Sequence, residues 1–119
     1  TFPLLDKHVL IASEIAEVKV ATDAYNVTIA ATAEAKGLAF VDAKSAMTQL
    51  STTGVRFGNY HMTAAYVTGG AFSLDGVHPS PRGYALITNV FLDAINTRYG
   101  SNFKGVKFSD YRIMFPPVL

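Results

Sequence analysis

The chain contains no cysteine. Disulfides, thiolate zinc sites and a cysteine nucleophile are thereby excluded. Charge is sparse as well: 16% of residues are charged, the net charge is +1, and Lys and Arg are scattered without a basic run. Nucleic-acid binding needs a clustered positive face and a polybasic membrane patch needs the same clustering, so both classes fall away. No apolar run approaches the roughly 20 residues that cross a bilayer. Thr1-Phe2-Pro3-Leu4-Leu5 shows neither an initiator Met nor a signal-peptide pattern. It reads as a point inside a longer chain; a trimmed or processed terminus reads the same way.

What the chain does have is apolar residues, 50% of 119. That suits one globular unit, and a complete domain of this size buries roughly 65% of the surface its unfolded chain exposes. Residues 13–36 carry a helical pattern. Ser13 suits the N-cap, Glu14 and Glu17 suit the first turns, and Gly37 suits the left-handed stop. Ile15, Val18, Thr22, Tyr25, Ile29 and Ala33 recur at three- and four-residue steps and predict one apolar stripe, weakened in the middle by Asn26-Val27-Thr28. Leu38-Ala39-Phe40-Val41 reads as a short strand covered on both faces, closed by Asp42, and residues 43–50 as a short helix. Residues 51–74 read as a long functional loop, with a hairpin pairing residues 55–57 with 65–68 and a strong loop signal at Gly69-Gly70.

The second main helix follows Ser80 as N-cap and Pro81 as first helical residue, and Gly100 ends it. Tyr84, Ile87, Val90, Phe91, Ala94 and Ile95 predict its apolar face. The stretch after it, with Pro116-Pro117, has no periodicity. This order of elements is that of the end of an α/β layered domain. One strand cannot make a sheet for two long amphipathic helices, which points to further sequence upstream.

Asp75 and His78 carry the chemistry. They lie three residues apart on a glycine-containing loop directly ahead of a well-capped helix. Gly76 permits a tight turn between them, and Pro79 holds His78 extended. An imidazole can take a proton from a serine hydroxyl and return it to a leaving group, while a carboxylate on its other nitrogen fixes the tautomer. Spacing alone decides little, because chance gives D-x-x-H in roughly 15% of chains of this content. The alternative is a histidine packed on a helix start beside a solvated aspartate.

The longer run Phe72–Tyr84, FSLDGVHPSPRGY, resembles the last motif block of SGNH hydrolases, the GDSL-type lipases and esterases, down to Gly83-Tyr84 in the first helical turn. Residues 6–42, with SEIAEVKVATDAYN and LAFVDA, resemble the penultimate helix and strand of the bacterial members. The resemblance implies an α/β, flavodoxin-like three-layer fold in which a parallel sheet is flanked by helices. Residues 1–119 would form the C-terminal portion of one such domain. It implies carboxylic ester hydrolysis, with His78 as general base, Asp75 as its orienting acid, and no metal or organic cofactor. The family's Gly-Asp-Ser block does not occur here, and neither do its oxyanion-hole blocks. Ser13, Ser45, Ser51, Ser73, Ser80, Ser101 and Ser109 do not match the nucleophile pattern. The partners implied are an ester substrate and the missing N-terminal portion of the same domain, without which the chain should be inactive. Secretion, a periplasmic place or surface attachment in a bacterium is implied too.

Other residues carry weaker signals. His61 reads as a solvated loop histidine, and His8, His61 and His78 lack metal-ligand spacing. Asp42 suits a helix cap, and Arg82 a local ion pair. Phe57, Tyr60, Tyr66 and Phe72 pack on the core or line an acyl pocket. Ser73 is two residues from Asp75, too close in sequence for the attack geometry. The rival readings are a non-catalytic binding domain on the same scaffold, and an acyltransferase or phosphodiester hydrolase relative.

Overall fold

The computed structural model describes residues 3–112. The chain divides into two compact units, Thr1–Leu38 and Ala39–Leu119.

In the first unit a 3-10 turn, Asp6–His8, precedes helix α1, Ala12–Ala35. The cap position is Ile11 rather than Ser13, and the Glu14 carboxylate reaches back to accept from the Ile11 amide at 3.0 Å. The helix is continuous through Asn26-Val27-Thr28, where the Thr28 hydroxyl donates to the Ala24 carbonyl. Gly37, at φ 67, ends it. Leu38 N donates to Ala33 O at 2.8 Å and Gly37 N to Glu34 O at 3.1 Å, the paired bonds of a Schellman stop. Ile15, Val18, Tyr25 and Ile29 of the expected stripe are exposed.

The second unit contains α2 (Ala43–Thr52), a hairpin of β1 (Val55–Phe57) and β2 (Tyr60–Met62), α3 (Pro81–Tyr99), and a 3-10 turn at Phe108–Asp110. Asp42 caps α2. Its carboxylate accepts from the Ser45 hydroxyl at 2.6 Å and the Ser45 amide at 2.9 Å, which lowers its pKa. The hairpin pairs Val55 with Met62 and Phe57 with Tyr60 across Gly58-Asn59. Positive φ at Gly58 alone is the pattern of a type II′ turn. Residues 65–68 are therefore not the partner of β1.

The α/β expectation is overturned. The described residues form three α-helices and one two-stranded antiparallel sheet, with no parallel sheet and no three-layer arrangement. The segment Leu38-Ala39-Phe40-Val41 is not a strand. A strand exists only through a neighbour that takes its backbone bonds, and here the Ala39 amide donates instead to the Tyr99 hydroxyl at 3.0 Å.

The core gathers Leu50 of α2, Met62 of β2, Ala71, Ala85 and Leu86 of α3, and Phe108. Phe108 stacks on Phe57 with ring centroids 4.3 Å apart. The buried face of α3 is Gly83, Ala85 and Leu86, while Tyr84 and Phe91 of the expected face are exposed. The chain beyond α3 returns along it through two asparagines one heptad apart. Asn89 exchanges both amide bonds with the Val106 backbone, at 2.8 and 3.0 Å, and Asn96 does the same with Phe103, at 2.9 Å each. Pro116-Pro117 lies outside the described residues. Among the described residues no helix is long and apolar enough to cross a membrane.

Candidate active site

The loop that carries Asp75 and His78 is closed at its base by backbone pairing. Phe72 and Pro79 form an antiparallel bridge, with Ser73 N donating to His78 O at 2.8 Å and Ser80 N to Ala71 O at 2.9 Å. These bonds flank the bridge, so Phe72 and Pro79 are the non-hydrogen-bonded pair. Proline's missing N–H therefore costs no ladder bond. Inside the loop, Gly76 N donates to Ser73 O at 3.0 Å, with Gly76 at φ 72.

The N-terminus of α3 anchors the other end. Ser80 is fully buried; its hydroxyl donates to Gly70 O at 2.5 Å and accepts from Gly83 N at 3.0 Å. His78 thus stands two residues ahead of a cap that is locked to the chain on both sides. Tyr66 supports the loop from outside, its hydroxyl donating to Leu74 O at 2.6 Å. The next residue, Val67, has φ 65, and Thr68 N donates to Tyr66 O across it at 2.7 Å. A β-branched residue in that region is strained.

Within this frame the carboxylate of Asp75 is fully engaged. Oδ2 lies 2.6 Å from His78 Nδ1. Oδ1 accepts from the Ser73 hydroxyl at 2.6 Å and from the amides of Val77 and His78 at 2.9 Å each. The Ser73 hydroxyl above all, then the Val77 amide, the His78 ring and the His78 amide, hold the Asp75 carboxyl well below the usual carboxylate range. An ionised carboxylate only accepts hydrogen bonds, so Nδ1 must carry the proton. In the neutral ring, Nε2 then presents its lone pair. Among the described residues nothing bonds Nε2, and the His78 side chain is 71% exposed.

The structure therefore brings the two sequence-derived site residues, Asp75 and His78, into direct contact. Within the second unit it does not bring a serine to Nε2. Ser73 faces the carboxylate, Ser80 is the buried cap, and Ser45, Ser51, Ser101 and Ser109 each donate elsewhere. Comparisons with family models, with curated proteins and with solved structures find no match.

The remaining candidates have local duties. His61 is exposed, with Nε2 3.1 Å from Thr53 O. Among the described residues Arg82 pairs with no carboxylate; its guanidinium lies 4.2 Å over the Tyr60 ring and its Nε donates to Tyr111 O at 2.8 Å. Among the described residues no three His, Asp or Glu side chains converge as metal ligands. An apolar groove of about 230 Å³ lies between α2, β1 and α3, lined by Val41, Met47, Phe57, Leu86, Val90 and Phe91 among others. Phe57 lines it, but Tyr60, Tyr66 and Phe72 do not, and none of its residues belongs to the loop 73–78. Sequence reasoning missed Ser73 as a ligand of the carboxylate. Its signal was present: a hydroxyl two residues before an aspartate on a tight turn, the spacing at which short polar side chains bond locally.

Proposed function

We propose that the chain supplies the base and orienting acid of a carboxylic ester hydrolase working through an acyl-serine intermediate. One observation carries the reading: an imidazole braced at Nδ1 by an ionised carboxylate, with Nε2 open to solvent on a rigid loop. Support also comes from the likeness of the segment FSLDGVHPSPRGY to the last motif block of SGNH hydrolases. The reading rests on the loop and not on a parallel sheet, which the described residues do not form.

In this mechanism His78 Nε2 takes the proton from a serine hydroxyl as its oxygen attacks the ester carbonyl. Asp75 stabilises the imidazolium, and the proton then goes to the departing alcohol. Water, activated by the same nitrogen, releases the acid and restores the serine. The serine and the oxyanion donors come from another portion of the same hydrolase domain.

The test is ester turnover by the full-length protein with and without His78→Ala. Loss of His78 should lower kcat/KM by about 10³-fold or more. Turnover that ignores the substitution would eliminate His78 as the base. Product analysis with an added alcohol acceptor separates hydrolysis from acyl transfer.

A further inference from the structure

We propose that Ser73 is a positioning residue for the His78–Asp75 pair, its hydroxyl turning the carboxylate so that Oδ2 meets Nδ1. The proposal rests on the reading of His78 as a general base and extends it by one residue.

A carboxylate on a short side chain rotates about a broad, two-fold torsion, so its plane needs fixing from outside. The two amides on Oδ1 both come from the limb of the loop that follows Asp75. Ser73 is the donor from the limb that precedes it, at 2.6 Å. Its bond completes a brace from both sides. Ser73 is itself held at its amide by His78 O and at its carbonyl by Gly76 N. It is half-buried, whereas Asp75 and His78 are exposed. Without the hydroxyl, water competes for Oδ1 and the carboxylate swings. A swinging carboxylate no longer selects the Nδ1–H tautomer, and that tautomer is the one that leaves Nε2 able to accept a proton. In this geometry the Ser73 hydroxyl donates to the acid and makes no bond to the open nitrogen.

The ring tautomer is read directly by two-bond 1H–15N correlation of His78 in the full chain, at a pH where the ring is neutral. The unsubstituted chain should show the Nδ1–H form in excess. Ser73→Ala should lower the ratio of Nδ1–H to Nε2–H forms by about tenfold, the effect of one lost charge-assisted hydrogen bond. Ser73→Thr keeps the hydroxyl and should restore the ratio. Should Ser73→Ala not fold, Ser73→Cys replaces it with a near-isosteric weak donor, and the same fall is expected. An unchanged ratio on loss of the hydroxyl overturns the proposal, and so does a Thr variant that behaves like Ala. The measurement needs neither ester nor nucleophile. Failure of the ester reading in the His78→Ala assay is therefore distinct from failure here.

Discussion

No side chain fits between Gly83 and the carbonyl of Ala71: a Cβ built on Gly83 would overlap that oxygen. The first turn of α3 therefore lies directly on the chain at Ala71. The same carbonyl accepts from the Ser80 amide at 2.9 Å. Helix start and loop base are held at one point, and His78 projects from just beside it.

Replacing Gly83 by alanine sets two effects against each other. Intrinsic helix propensity favours Ala by about 1 kcal/mol. Overlap with a backbone carbonyl, which cannot swing aside as a flexible side chain can, costs about 1–3 kcal/mol or more. The overlap with backbone is severe, so the upper end of that cost applies and we expect Gly83→Ala to destabilise by about 1–2 kcal/mol in urea unfolding. A variant more stable than the parent would show that this contact does not exist in solution.

Ser80→Ala removes a buried cap and leaves Gly70 O without its donor. A loss of about 2 kcal/mol is expected. Hydrogen exchange offers a local reading: the Gly83 amide should lose protection, while amides in the middle of α3 keep theirs relative to global unfolding. Unaltered exchange at Gly83 would refute the capping geometry.

Acid should leave Asp75 ionised where ordinary carboxylates protonate. Its pKa in the folded chain is depressed, chiefly by the Ser73 hydroxyl and then by the Val77 amide and the His78 ring and amide. A depressed carboxyl contributes stability above its unfolded value near 3.8, and that contribution is lost only as pH falls through the lower folded value. A carboxyl-carbon NMR titration should show Asp75 unchanged between about pH 5 and 3, the range in which an unperturbed aspartate carboxyl protonates. A midpoint near 3.8 would mean that the bonds to Oδ1 do not persist.

Phe108 and Phe103 separate core from surface in the stretch after α3. Phe108 is 8% exposed and stacks on Phe57, whereas Phe103 is 57% exposed. Phe108→Ala should lose about 3–4 kcal/mol. Phe103→Ala should change stability by less than about 0.5 kcal/mol, because the Phe103 contacts to Asn96 are made by its backbone. Equal effects from the two would contradict the burial of Phe108.

Asp75 and His78 were legible together because they lie three residues apart, with a glycine between them and a proline directly after. Over so short a span, turn chemistry alone sets the geometry. Arg82 was not legible. Its partners, Tyr60 and Tyr111, are 22 and 29 residues away, and nothing local distinguishes an arginine over a ring from one beside a carboxylate. Gly58-Asn59 could have been read as a hairpin turn with glycine first. The expected partner at residues 65–68 lies beyond the turn that actually closes the hairpin.

The amino-acid sequence by itself settled what is decided within a turn of backbone: the stops at Gly37 and Gly100, the caps at Asp42 and Ser80, Pro81 at the head of α3, and the Asp75–His78 pair. It also excluded every cysteine-based chemistry. Only the tertiary structure decided which face of α3 is buried, that Phe108 belongs to the core, that Asn89 and Asn96 hold the returning chain, and that residues 38–41 form no strand. The division has one physical cause. Caps and tight turns satisfy their hydrogen bonds with neighbours in sequence, whereas strands and buried faces exist only through partners the chain brings from far away.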